Sequence, residues 1–283
     1  MKKLIVMLGV VGVSWSAIFV RWSTAPSLVL VLYRMTISIL LLAPAAFVQR
    51  KDFSALRPRE ALLSLLSGAF LGLHLYSYFV SLDYTSIASS VVLVDTEVLF
   101  VALATWLILR KPLSAWAWAA IFLAFGGSVI VAMADGAGGG SALKGDLIAL
   151  AGALFMAVYT MLGTVCRRRI STTVYTFLVY LSAAGTVLII TLASGLSITG
   201  YDPINLWLAL GLAVFCTLMG HSIFSWGLKY LPPAFISTVK LLSAVFSTVW
   251  GIFLFQEIPS LLTAAGCMVV LAGIILYCNL KEV

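Results

Sequence analysis

Four ionisable residues, Arg34, Asp95, Glu97 and Lys240, fall inside long apolar runs. A charge near the centre of a bilayer costs at least ~2.5–3.5 kcal/mol on insertion scales, so such residues face a cavity or one another and mark places where polar cargo or protons are handled. Glu97 lies at the middle of its run and Lys240 about four residues from the middle of another, roughly 6 Å along a helix. Ser237 shares a helical face with Lys240. His74, Tyr78 and Ser81, with Ser77 beside them, form a second polar stripe, and Thr217, His221 and Ser225 a third. Histidine titrates near neutrality, so His74 and His221 fit either a proton relay or a hydrogen-bonded packing role. Trp15, Tyr78 and Tyr159 lie well inside their runs and make a candidate aromatic wall. The candidate binding residues are therefore Glu97, Lys240, Asp95, His74, Tyr78, His221, Trp15, Tyr159 and Ser237, with Glu97 also the candidate for proton coupling. Arg34 reads as a structural charge that holds carbonyls or a carboxylate. Glu97 and Lys240 have two readings, a binding or coupling site and a structural ion pair that fixes helix register.

Other chemistry finds little foothold. There is no Gly-rich phosphate loop before a basic residue and no His/Glu cluster at metal-ligand spacing, and the four cysteines are dispersed. No cofactor, metal site or enzymatic activity is expected. The net charge of +7 sits in short runs beside apolar segments and not on one polar face, so nucleic acid is not expected as a partner.

The elements that carry these residues are membrane helices. Hydrophobic residues make up 63% of the chain and charged residues 10%, at a mean hydropathy of +1.14, whereas soluble domains carry about 25% charged residues. Apolar runs occupy 4–22, 28–48, 61–81, 86–108, 115–133, 145–165, 173–193, 206–226, 234–255 and 261–279, each about the 20 residues that a hydrocarbon core ~30 Å thick requires. Lys2-Lys3 before the first run resembles the start of a signal peptide, but the run continues as a membrane span. With ten spans, 13 basic residues fall on the side of the termini and two, Arg21 and Lys144, on the other. The positive-inside rule then puts both termini in the cytoplasm, and a cell (inner) membrane location is expected.

The spans repeat. A shift of 146 residues aligns Leu82 with Leu228, Tyr84 with Tyr230, Phe100 with Phe246, Ser114 with Ser260 and Gly127 with Gly273. A shift of 140 aligns Gly12 with Gly152 and Ala17 with Ala157. The expected fold is all-α and integral to the membrane: ten transmembrane helices as two inverted five-helix repeats around a central cavity, residues 1–138 and 139–283. An odd number of spans per half inverts the second half, an arrangement from which carriers place a site near the midplane. The shift matches Lys240 to Val94, and Glu97, three residues on, shares the face of Val94, so the two charges approach one axis from opposite halves.

The chain resembles the drug/metabolite transporter superfamily and its EamA-type ten-helix members. The resemblance rests on Gly12 to Ala17, Tyr33-Arg34, the paired loops Leu82-Asp83-Tyr84-Thr85-Ser86 and Leu228-Lys229-Tyr230-Leu231-Pro232, and Phe255-Gln256-Glu257-Ile258-Pro259 with the Gly266 to Gly273 segment. It implies a cavity lined by spans 1, 3, 4, 6, 8 and 9, with spans 5 and 10 peripheral. The chain departs from the pattern in lacking a proline in spans 4 and 9, near Glu97-Val98 and at Ala244, and in having Lys111 where an acid matches Glu257. The expected function is secondary transport of small polar metabolites by alternating access, as an exporter. Amino acids or related amines are favoured, Lys240 taking the carboxylate and Glu97 the ammonium of a zwitterion. A carrier for sugar or nucleotide derivatives or drugs, and a non-transporting scaffold or lipid-handling enzyme, are the alternatives. The expected partners are a small-molecule substrate, the lipid bilayer and a coupling proton, with the chain a monomer or homodimer.

Overall fold

Inside a bilayer no water meets the backbone, and a helix satisfies its own N–H and C=O groups. The computed structural model describes residues 1–81, 84, 87–134, 143–256 and 258–280, and these contain no strand. The membrane helices are α1 (Lys2–Ser14 and Ser16–Trp22), α2 (Ser27–Val48), α3 (Pro58–Ser81), α4 (Ile87–Asp95 and Glu97–Leu107), α5 (Ala115–Ala134), α6 (Leu143–Cys166), α7 (Thr172–Ala193), α8 (Ile204–Gly227), α9 (Pro233–Lys240 and Leu242–Phe255) and α10 (Leu261–Asn279). Among the described residues nine are long and apolar enough to cross a membrane, and α5 is the tenth, with its apolar stretch over Ala115–Val131. The protein is a multi-pass membrane protein. The loops at 82–86, Tyr84 excepted, and at 138–140, the division at 138/139, Glu257 and Lys281 lie outside the described residues.

The same local structures recur in both halves. Ser114 caps α5 by accepting from the Ala117 N–H at 3.2 Å, and Ser260 caps α10 by accepting from Thr263 N–H at 3.1 Å, both residues shifted by 146. Arg110 and Gln256, again 146 apart, both take positive φ, 52° and 53°, where α4 and α9 end. Packing partners exchange in the same way. α3 lies on α6 and α1 on α8; α4 lies on α6 and α1 on α9; α3 lies on α7 and α2 on α8; and α2, α4 and α5 lie on α7, α9 and α10.

Close approach at two of these contacts depends on glycine. A Cβ on Gly68 of α3 would stand 2.3 Å from the Val179 carbonyl oxygen of α7. At the α5–α10 contact, Gly127 meets the Val270 N and its repeat counterpart Gly273 meets the Ala124 N, a Cβ falling 2.5 Å from each. The start of α1 and the end of α10 lie together, where the Lys3 ammonium donates to the Cys278 carbonyl at 2.7 Å. Each of the two larger buried cores mixes helices from both halves: one unites α1, α4, α5, α8, α9 and α10, the other α2, α3, α6 and α7. Outward faces are left to lipid, with Phe47, Trp106, Phe253 and Met268 exposed.

The helices are not all continuous. α4 breaks at Thr96, whose hydroxyl donates back to the Leu93 carbonyl at 2.5 Å while its N–H is shared between Val92 and Leu93. α9 breaks at Leu241, whose N–H turns to Thr238 in a tighter i→i−3 bond, and Thr238 itself back-bonds to Ala234 at 2.7 Å. Threonine back-bonding of this kind bends helices. The two breaks are 145 residues apart and need no proline, although the spans read as uninterrupted in the sequence. α1 tightens likewise at Trp15. In α8 a π-helical stretch, Leu212–His221, widens the turn, a device that often accompanies functional positions.

Candidate functional site

The α4 and α9 breaks set Glu97 and Lys240 face to face. Glu97 is the first residue after one break and Lys240 the last before the other. The Lys240 ammonium donates to both Glu97 oxygens at 2.8 Å. Glu97 Oε1 also accepts from Ser237 at 2.8 Å and from Thr160 of α6 at 3.2 Å. Glu97 is buried, and the Lys240 side chain keeps 15% of its exposure. The carboxylate therefore ties α4 to α6 and α9 in a charge-assisted knot. In this state the two charges satisfy each other, and a zwitterion bound by both would first have to part them. Asp95, half-buried on the other side of the α4 break, is within electrostatic reach of both but makes no hydrogen bond among the described residues.

Three of the remaining candidates line a cavity of about 100 Å³ beside this knot: His74 and Tyr78 of α3 and His221 of α8. Val13 and Ser16 of α1, Cys216 of α8 and Arg34 of α2 complete much of its wall. This cavity thus draws on α1, α2, α3 and α8, whereas the family resemblance implies α4, α6 and α9 in place of α2. His74 Nδ1 donates to the Gly152 carbonyl at 2.9 Å, which fixes its ring against α6. Tyr159 bonds Ser225 at 3.1 Å and sets its ring edge-on to His221. His221 also meets Phe224 edge-on, and the Lys240 ammonium stands 5.9 Å from the centre of the Phe224 ring. His221, which lines the cavity, thus touches both Tyr159 and Phe224, and Phe224 in turn lies beside Lys240. Trp15 belongs to a different group: it packs 4.6 Å from Trp250 and 6.0 Å from both Phe19 and Phe215. Ser14 anchors that group by accepting from Trp250 Nε1 at 2.8 Å.

Arg34 lies 3% exposed and makes one hydrogen bond among the described residues, Nε to Thr217 Oγ1 at 2.8 Å. Among the described residues neither a carbonyl nor a carboxylate bonds to it. Sequence reading also passes over Thr160, whose lone hydroxyl in an apolar helix carries no signal, and Arg167. The basic run Arg167–Arg169 looks uniformly exposed, yet Arg167 is 2% exposed and donates to the Ser225 and Ile170 carbonyls and to Thr172 Oγ1, tying the α6–α7 turn to α8. Burial lowers its pKa from the usual arginine value. Among the described residues no group of three His, Cys, Asp or Glu side chains converges as a metal site.

Comparisons with known proteins agree with this architecture. A crystal structure superposes on 98% of the chain, and on 96% of its own length, with a TM-score of 0.83 at 18% identity, a likeness of fold alone. An uncharacterized transporter of Archaeoglobus fulgidus is 26% identical over 218 residues, 75% of this chain and 73% of that protein. The profile of the EamA-like transporter family matches residues 2–133 and residues 143–278, one segment for each five-helix set, and the chain belongs to that family.

Proposed function

We propose that the protein is a secondary transporter that exports small polar metabolites, with amino acids or related amines favoured, by alternating access between two inverted five-helix halves. The reading places it in the cell (inner) membrane with both termini cytoplasmic. The observation that carries it is the Glu97–Lys240 pair, which joins the two halves where both helices are broken. A buried ion pair resists separation because each partner left alone is an uncompensated charge. Protonation of Glu97 removes that penalty from the carboxylate, loosens its hold on Lys240 and frees α4 and α9 to bend at Thr96 and Leu241. Glu97 is then the coupling residue and Lys240 its latch. Ser237 and Thr160 keep a neutral Glu97 hydrogen-bonded, so the proton-loaded state is not left unsatisfied.

The test is counterflow in proteoliposomes preloaded with single amino acids, small amines or organic acids. Uptake of labelled solute above that of protein-free vesicles is expected for at least one amino acid or amine. With Glu97→Gln, counterflow should persist while accumulation driven by a proton gradient is lost. Absence of counterflow with every solute would overturn the reading.

A further inference from the structure

We propose that the cavity at Arg34 is a carboxylate-binding subsite that takes the acid end of the transported solute; this rests on the transporter reading and names the substrate chemistry. Among the described residues two cations lie well away from the ends of the membrane-spanning helices, Arg34 and Lys240, and their surroundings differ. Lys240 spends its ammonium on both oxygens of Glu97. Arg34 has no carboxylate within ion-pair distance among the described residues and uses only Nε, on Thr217. A guanidinium carries five N–H donors, so four remain on its two terminal nitrogens, and Arg34 lines the cavity of about 100 Å³. A guanidinium fork matches the two oxygens of a carboxylate in geometry and charge.

The rest of the wall supports an anion of this size. His221 Nδ1 is a buried ring nitrogen without a hydrogen-bond partner among the described residues, and His221 lines the same cavity. His74, whose Nδ1–H is held by the Gly152 carbonyl, and Tyr78 line the cavity as well. The volume equals about three waters at liquid density, enough for a carboxylate with one or two carbons. One available positive charge matches a monoanion. A phosphate dianion would need a second cation, and Lys240 is taken. Val13, Leu75 and Phe79 line the remainder, which suits the short apolar stem of such a ligand.

The experiment measures stabilisation and calorimetric binding of the purified full chain with propionate, L-alanine, propionamide, L-alaninamide and inorganic phosphate. Propionate and L-alanine should bind, and the amides should bind roughly 10- to 100-fold more weakly, the range set by a hydrogen-bonded charge. Arg34→Gln should remove that preference, and Arg34→Lys, which keeps the charge but not the fork, should retain part of it. The wild-type acid-over-amide ratio needs no variant and stands even where Arg34→Gln folds poorly. Equal binding of acids and amides, no binding of either acid because only water fills the cavity, tighter binding of phosphate, or an unchanged preference in folded Arg34→Gln each overturns the subsite. Counterflow of the same solutes separates the two readings. Transport with no role for Arg34 defeats the subsite alone, and Arg34-dependent binding without any counterflow defeats the transporter reading alone.

Discussion

Replacing Lys240 by methionine keeps most of the apolar stem and removes the ammonium that donates to both Glu97 oxygens at 2.8 Å. Glu97 would then be a buried carboxylate held only by Ser237 and Thr160. Removing one partner of a buried pair costs about 3–5 kcal/mol, equivalent to roughly 150- to 4,000-fold in the unfolding equilibrium. Glu97→Gln is milder, because the amide still accepts from Ser237 and the Lys240 ammonium retains some exposure beside Phe224. The double variant removes both charges and should recover much of the Lys240→Met loss, a coupling of about 2–3 kcal/mol. Reversible unfolding in mixed micelles, read on all four proteins, measures it. Salt is an internal control, since buried pairs are screened little. The Arg169–Glu60 pair, 3.8 Å apart with the arginine 69% exposed, should contribute at most about 1 kcal/mol and fade with salt. Additive single-variant effects, or a Lys240→Met loss below about 0.5 kcal/mol, would refute the pairing and with it the latch.

Two further substitutions test the frame around the pair. Gly68→Ala puts a Cβ 2.3 Å from the Val179 carbonyl and 2.7 Å from Ser182 Cβ and should cost about 1–3 kcal/mol as α3 and α7 separate, whereas Gly185→Ala, which meets nothing within 4 Å, should be neutral or stabilise by up to about 1 kcal/mol; the same unfolding assay reads both. Ser114→Ala and Ser260→Ala each remove an N-cap bond at matched positions and should lose about 0.5–2 kcal/mol apiece, with similar values expected if the two turns are one structure built twice.

The number and limits of the spans were legible in the sequence because hydropathy reports directly on burial in lipid, and the largest displacement of a helix end is α3, expected at 61 and found from Pro58. The approach of Glu97 to Lys240 was legible from the 146-residue register, because a repeat converts one-dimensional spacing into a relation across an axis. The breaks that complete it were not. Thr96 and Leu241 are neither glycine nor proline, and the Thr96 hydroxyl turns back on its own helix only within this packing. The stripe Thr217, His221 and Ser225 was read on an ordinary helix, but the π-helical Leu212–His221 stretch sends its members to three partners: Arg34, the cavity and Tyr159. Trp15, well inside its span, turns to Trp250. The destination of a long side chain depends on which neighbours offer a counter-charge, and that is a property of three or four helices at once.

Arg34 and Lys240 are both cations within apolar helices, and the difference between them lies in what faces them. Lys240 has a carboxylate, and its energy goes into holding one arrangement of α4 and α9. Arg34 has a threonine hydroxyl and a small cavity, so its charge is cheapest when an anion is present. An anion in the Arg34 cavity changes the potential at His221, which lines the cavity and touches Tyr159 and the Phe224 ring beside Lys240. In the proposed cycle, solute at Arg34 and a proton at Glu97 act at the two ends of this chain of contacts. The two sites then need no direct contact to influence each other, because a negative charge arriving at Arg34 repels the carboxylate of Glu97 through space. Coupling of this kind is reciprocal, and removing that negative charge, as in Glu97→Gln, should tighten the hold of the cavity on an anion.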